Sequence, residues 1–333
     1  MLLLFVFSAL VTIISAIKLS SYADVLSKKT SLGGMLVGTL FLAGATSLPE
    51  VTTSATAVFL NNPDIAVGNV LGSNLFNLLI LAVFDVIYRR KQMLTKIDKD
   101  HVTTGFISLG LTGVVLASIL SPSGVAFLGI GIESYLLIIF YVVSMRMMSP
   151  QKQESVLEQT AAATDNVRRE EAPSISLKKA KIGFAVSAVI IFVTGSLLTY
   201  SGDAIADATG MSASFIGSFL IAGATSLPEV VSVLVAVRLF NYNLAVGNIL
   251  GSNIFNLLIL VFTDVLYRGG SLLEAADTVT AVTALTVILL NIIVLGSILF
   301  FRTNRKTTLG YSIPSLLLII LYAISSFLIF SLS

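Results

Sequence analysis

The sequence predicts an all-α polytopic membrane protein of ten transmembrane helices, arranged as two inverted five-helix repeats. Three observations predict it: an apolar composition, hydrophobic runs of membrane-spanning length, and a pair of polar motifs that recurs once along the chain. Of 333 residues, 56% are hydrophobic and 11% charged, less than half of the roughly 25% charged residues usual in soluble domains. The mean hydropathy is +0.96. A hydrocarbon core of about 30 Å takes roughly 20 apolar residues per helix. Ten segments meet that length, near 2–19, 31–60, 64–88, 101–120, 124–147, 180–200, 211–240, 243–267, 275–300 and 309–331.

The first segment, MLLLFVFSALVTIISAI, has no basic stretch before it and no small-x-small cleavage site before Asp24, so it reads as a retained span rather than a secretory signal. The second and seventh are too long for one straight crossing. Each contains an internal glycine and proline, which predicts helices broken in mid-membrane. His101 opens the fourth span as an interfacial residue, and Glu133, in GIGIESYLL, is an unrepeated acid of the fifth, placed near its outer interface. Residues 148–179 mix Lys, Arg, Glu, Gln and Thr without hydrophobic periodicity, the pattern of a flexible linker too short for a folded regulatory domain. The chain therefore divides into a first five-helix repeat (1–147), the linker (148–179) and a second, inverted repeat (180–333).

Charge sets the orientation. With the N-terminus outside, ten crossings leave both termini outside, and 19 of the 20 Lys and Arg residues fall on the cytoplasmic side with the linker; only Arg268 falls outside. One span too many or too few would scramble that split. The lipid bilayer of a cell membrane is thus the first partner, and a net charge of +2 gives no reason to expect nucleic acid. No obligate protein partner is evident. Zero cysteines exclude disulfides, thiolate catalysis and Cys-based metal sites, and one histidine excludes a poly-His metal centre. No cofactor is expected.

Residues 44–50 and 223–229 both read GATSLPE; AVGNVLGSN at 66–74 and AVGNILGSN at 245–253 are each followed by a FNLLIL run. Both pairs are offset by 179 positions, and aligning 42–89 with 221–268 gives 31 identities in 48 positions, with Thr, Ser, Pro, Glu, Asn and Asp held in register. The two copies are separated by five crossings, an odd number, so they enter the membrane from opposite sides. Inverted repeats of this kind meet around a pseudo-two-fold axis and bind their cargo near the bilayer midplane.

Glu50 and Glu229 lie halfway through their spans, where an ionisable group is costly and faces the protein interior or water. Each follows a proline, Pro49 or Pro228, that opens the preceding turn and frees carbonyls. Thr46, Ser47, Thr225 and Ser226 sit in those turns, so two carboxylates, four hydroxyls and backbone carbonyls, including Ala43 and Ala222, cluster together. Hard cations such as Ca²⁺ take six to eight oxygen ligands. From the next helix, Ser73 and Asn77 share a face at i, i+4, as do Ser252 and Asn256, with Asn69 and Asn248 extending the stripe. Gly68, Gly72, Gly247 and Gly251 are spaced for close helix packing. No Lys, Arg or His lies within the repeated motifs to pair with the acids, and the doubled arrangement favours cation coordination over a structural ion pair. Asp85 and Asp264 also correspond, beside Arg89 and Arg268, and read as interfacial ion pairs or groups at the cation's approach. Neither sits in the Gly-x-Gly-Asp context of an intramembrane protease, so an enzyme is not expected. A channel lined by acids is the alternative of a different class.

At these motifs the sequence resembles the cation/Ca²⁺ exchanger superfamily, specifically its Na⁺/Ca²⁺ exchanger type with two alpha repeats. The resemblance implies a ten-helix fold in which spans two, three, seven and eight form a core and spans one and six slide across it. It implies antiport of Ca²⁺ against Na⁺ by alternating access, with H⁺/Ca²⁺ or K⁺-dependent exchange as alternatives. By matching position it assigns Glu50 and Glu229 to central Ca²⁺ coordination, helped by carbonyls of Thr46 and Thr225. Ser47, Ser73, Ser226, Ser252 and the carbonyls of Ala43 and Ala222 fall at flanking Na⁺ sites, and Asn77 and Asn256 beside the centre. Two departures matter. Ala45 and Ala224 stand where the family commonly has glycine, which tightens the opened turn. Asn256 stands where many members have Asp, so the centre holds two acids rather than three.

Overall fold

A computed structural model describes residues 1–29, 44–147, 175–300 and 308–332. Ala43, the start of the second span and residues 148–174 of the linker lie outside the described residues. Helix α1 is Leu2–Lys29; α2 is described over 44–59 and breaks at Ser47 ahead of Leu48–Phe59; α3 is Pro63–Ile87, α4 Asp100–Leu120 and α5 Ile132–Met147. In the second half, α6 is Leu177–Thr209, α7 joins Ala213–Thr225 to Leu227–Arg238 across a break at Ser226, α8 is Tyr242–Tyr267, α9 Val279–Phe300 and α10 Thr308–Leu332. Among the described residues seven helices are long and apolar enough to cross a membrane, and α7, bent by 46° at its break, makes an eighth. With the 16-residue α5 and the described part of α2, the architecture is consistent with ten crossings.

Several boundaries differ from the sequence reading. The fifth span begins at Ile132 rather than near 124, because two short strands, β1 (Ala126–Phe127) and β2 (Ile130–Gly131), pair antiparallel there. Leu128 and Gly129 connect them with φ of 55° and 77°, the positive values a two-residue hairpin turn needs. His101 is buried in the structure rather than interfacial.

The repeat is visible in the turns. The chain leaves α2 through Asn61 at φ 56° and α7 through the equivalent Phe240 at φ 57°. Asn62 and Asn241 then cap the next helices, their side chains accepting from the N–H of Ile65 and Leu244. These tight reversals bring the proline-broken helices back against α3 and α8.

Helices α3 and α8 occupy the centre. Every residue from Ile65 to Leu75 and from Leu244 to Ile254 is buried, the mark of a helix enclosed on all faces. Small residues make the enclosure possible. A Cβ on Gly72 would lie 2.2 Å from the backbone oxygen of Ser218, one on Gly68 3.0 Å from that of Ser214, and one on Gly217 2.9 Å from that of Ile65. The first half of α7, which includes a π-helical stretch at Ile216–Ile221, is thus laid backbone against backbone on α3. At the periphery α1 runs beside α6, joined by a 2.7 Å contact between the Thr12 and Thr194 hydroxyls. Helix α6 reaches the core through Thr199, whose hydroxyl donates to the Thr53 carbonyl at 3.1 Å.

Contacts sort the turns into two ends of the bundle. At one, the Asn62 amide donates to Asp203 (2.7 Å), the Asp277 N–H to Asp64 (2.5 Å) and the Gly124 N–H to Glu274 (2.7 Å). At the other, Asp98 and Asn243 pair through two hydrogen bonds and Lys91 lies over the Phe240 ring. The first is the acidic end and the second the basic end, an alternation that agrees with the odd number of crossings between the repeats.

Gly72→Ala is expected to destabilise the fold by about 1–3 kcal/mol, the usual cost of overpacking. Gly113→Ala, whose Cβ meets nothing within 4 Å, is the neutral control. Thermal unfolding of the detergent-purified variants checks both.

Candidate cation site

The broken helices aim two acids at the core. After Ser47 and Ser226 the chain restarts as Leu48–Phe59 and Leu227–Arg238, with Pro49 and Pro228 near the new N-termini and Glu50 and Glu229 in the first turns. The fold favours a proline there, since the first N–H groups of a helix have no partner to lose, and the helix dipole favours a carboxylate. Both acids are nearly inaccessible, 1% exposed at Glu50 and 4% at Glu229. The Thr225 hydroxyl lies within hydrogen-bonding reach of the Glu50 carboxyl, and Glu229 stands close enough for its charge to be felt there.

Asn69 and Asn248 join these half-helices to α3 and α8. The Asn69 amide nitrogen donates to the hydroxyls of Thr53 (2.8 Å) and Ser54 (2.9 Å), and Asn248 donates to Ser232 (2.8 Å), the repeat equivalent of Thr53. The polar stripe then continues. The Thr225 hydroxyl is 3.4 Å from Asn69 Oδ1 and 3.5 Å from the Ser73 hydroxyl, and Ser252 is 3.4 Å from Asn248 Oδ1. Ser47, Ser226, Ser73, Ser252, Thr46 and Thr225 are all buried. The Ala222 carbonyl accepts the Ser226 N–H and the Thr225 hydroxyl, while the missing N–H of Pro228 leaves the Ala224 carbonyl without its helical donor.

Sequence reasoning passed over Asn74 and Asn253. Across the crossing of α3 and α8, Asn74 donates to the carbonyl of Asn253 (3.1 Å) and Asn253 to the carbonyl of Asn74 (3.4 Å). Their side-chain oxygens accept from Asn77 and Asn256, each at 3.0 Å. This uses the amide nitrogens of Asn77 and Asn256 and turns their oxygens outward. The signal was the first asparagine of each GSN-x-FN segment, three residues before Asn77 or Asn256 and hence on the same helix face.

Among the described residues, four acceptor-only oxygens of this site are buried without a hydrogen-bond donor, Glu50 Oε2, Glu229 Oε2, Asn77 Oδ1 and Asn256 Oδ1, and the Ser226 hydroxyl beside them also has no partner. Each unpaired buried polar group costs about 1–3 kcal/mol, more when charged. They are related in pairs by the repeat, and all four are oxygens that can only accept. A cation satisfies such a set.

Asp85 and Asp264 play another part. Asp85 accepts from the hydroxyls of Tyr311 and Ser315 (2.6 Å to the latter) and from the Leu94 N–H (3.4 Å). Asp264 accepts from Ser134 (2.6 Å) and the N–H groups of Gly131 (2.9 Å) and Leu272 (2.7 Å). Among the described residues their partners are these donors rather than Arg89 or Arg268, which corrects the ion-pair expectation. They fasten α3 and α8 to the loops at opposite ends.

A family model described as sodium/calcium exchanger protein matches residues 1–149 and 179–331. The chain belongs to that exchanger family. Among curated proteins, a putative antiporter, CaxA, of Alkalimonas amylolytica is 28% identical over 308 residues, 91% of this chain and 92% of that one. The inner membrane protein YrbG of Escherichia coli is 26% identical over 273 residues, 81% of this exchanger and 80% of that protein. Solved structures share the fold: the H⁺/Ca²⁺ exchanger CAX with a TM-score of 0.68 at 13% identity, covering 100% of this chain and 86% of the other. The sodium-calcium exchanger NCX_Mj follows at 0.56 and 19%, covering 97% and 96%. The exchanger is an integral membrane protein with the predicted fold.

Asn253→Ala removes the acceptor that holds Asn77. Ca²⁺ affinity is expected to fall by roughly 10–100-fold, as for the loss of groups that orient metal ligands, with the helical content unchanged; equilibrium ⁴⁵Ca²⁺ binding and circular dichroism measure the two.

Proposed function

We propose that this exchanger carries Ca²⁺ in one direction and Na⁺ in the other by alternating access, with Ca²⁺ held between Glu50 and Glu229. The supporting observation is the set of four buried, unpartnered acceptor oxygens on Glu50, Glu229, Asn77 and Asn256. Carbonyls of Thr46 and Thr225 complete the Ca²⁺ ligands. Na⁺ binds beside them at Ser47, Ser73, Ser226 and Ser252, with carbonyls of Ala43 and Ala222. The basic end faces the cytoplasm with the linker, both termini face outward, and the membrane is the cell membrane.

Charge balance at the site supports a stoichiometry. Two carboxylates balance one Ca²⁺ or two monovalent cations, and the amides of Asn77 and Asn256 add no charge. Each cycle therefore exchanges two monovalent ions for one Ca²⁺ and moves no net charge.

Proton coupling is a second reading, because the same unpartnered Glu50 and Glu229 oxygens would also be neutralised by protons. In proteoliposomes, ⁴⁵Ca²⁺ uptake is expected to require an opposing Na⁺ gradient and to be indifferent to an imposed membrane potential. Glu50→Gln or Glu229→Gln is expected to reduce it to the protein-free background. Uptake that survives both substitutions overturns the site; uptake driven by a pH gradient without Na⁺ selects the proton reading; flux without any counter-ion selects a channel.

A further inference from the structure

At the acidic end the two halves of the exchanger meet through the α4–α5 connection and the α8–α9 connection. Asp264 makes the joint, and all its donors are in place. Two further acids stand beside it. Glu133 at the start of α5, 3% exposed, has Oε1 2.9 Å from the Ser123 hydroxyl. Glu274, in the single turn Leu272–Ala275, has Oε1 3.1 Å from the same hydroxyl and accepts the Gly124 N–H at 2.7 Å. One hydroxyl has one proton, so Ser123 donates to only one of them at a time. The two carboxyl groups thus converge on one hydroxyl, and Asp264 stands close enough to Glu274 for its charge to be felt. Among the described residues no basic side chain pairs with either acid. Glu133 Oε2 is buried and has no partner at all. It shares the space beside Gly131 with the Ser271 hydroxyl: a Cβ there would lie 2.4 Å from Glu133 Oε2 and 2.7 Å from Ser271 Oγ.

The opposite end has the same joint without the acids. Asp85 is fastened there by Leu94, Tyr311 and Ser315, while residues 91–97 and 308–316 contain no Asp or Glu. The joint therefore folds without a carboxylate pair, and Glu133 and Glu274 are additions to it. Like charges held together in a partly buried place are relieved by a cation or a proton between them.

We propose that Glu133 and Glu274 form a second cation site, separate from the transport centre, that takes a hard divalent cation such as Ca²⁺. Their carboxylates and the Ser123 and Ser271 hydroxyls are the oxygen ligands. Glu133 and Ser123 belong to the first repeat and Glu274 and Ser271 to the second, so the ion clamps the two halves together at the outer face.

The test is ⁴⁵Ca²⁺ equilibrium binding to the full-length Glu50→Gln/Glu229→Gln protein, purified in detergent, whose central acids are neutral. One Ca²⁺ per chain is expected to remain. Adding Glu133→Gln or Glu274→Gln is expected to weaken it by roughly tenfold or more, whereas Asp277→Asn, an acid of the same end outside the pair, leaves it unchanged. Thermal unfolding of the Glu50→Gln/Glu229→Gln parent gives a measurement independent of whether the added variants fold: Ca²⁺ is expected to raise its Tm, as any ligand of the native state does. No residual Ca²⁺ and no Ca²⁺-dependent rise, including a rise with acid alone that points to a shared proton, overturns the proposal. So does residual binding untouched by both substitutions. None of these outcomes depends on transport, so the central site stands or falls separately.

Discussion

The reciprocal amide bonds between Asn74 and Asn253 set the position of everything else in the core. Two enclosed helices cross there, each offering a backbone carbonyl and a side-chain amide to the other. Asn77 and Asn256 can then hydrogen-bond only in one sense, nitrogen toward the crossing and oxygen away from it. One turn back, Asn69 and Asn248 use their amides on the second halves of α2 and α7, which fixes where Glu50 and Glu229 begin their helices. The crossing thus orients a set of oxygens it does not itself belong to.

Keeping those oxygens unpaired works against stability. Four buried acceptors without donors leave an unfavourable contribution of several kcal/mol, which the helix N-termini behind Glu50 and Glu229 offset only in part. A polar cluster left short of positive charge differs from a structural network, in which donors and acceptors close. The clusters at Asp85 and Asp264 are closed in this sense, and they fasten loops; the central one is open. That contrast separates carboxylates whose donors are complete from carboxylates left short of them.

Symmetry divides the molecule by role. In the core it is kept: the same caps, the same positive-φ turn positions and the same amide pairs recur at an offset of 179 positions. At the two ends it is broken. The acidic end gathers Glu133, Glu274, Asp264, Asp64, Asp203 and Asp277, while the other sets Lys91 and Lys96 over the rings of Phe240 and Tyr242. The paired acids have no counterpart across the pseudo-two-fold axis.

Much of this was legible in the chain itself. Hydrophobic run lengths, the distribution of Lys and Arg, and the recurrence of GATSLPE and GSN-x-FN determined the spans, the inverted halves and the two central acids, because membrane burial and a doubled motif both leave a periodic imprint on sequence. Other features had no such imprint. The part of Asn74 and Asn253 emerged only where α3 meets α8, since a hydrogen bond between residues 179 positions apart depends on which way two helices cross. The partners of Asp85 and Asp264 were misjudged for the same reason: neighbouring arginines were visible in sequence, but the donors came from loops and helices distant along the chain. Glu133 read as a solitary acid until the loops at the acidic end brought Glu274 against it. Sequence determined which groups had to leave water; tertiary structure decided which of them found a partner, because pairing is a matter of distance and direction that composition and spacing do not encode.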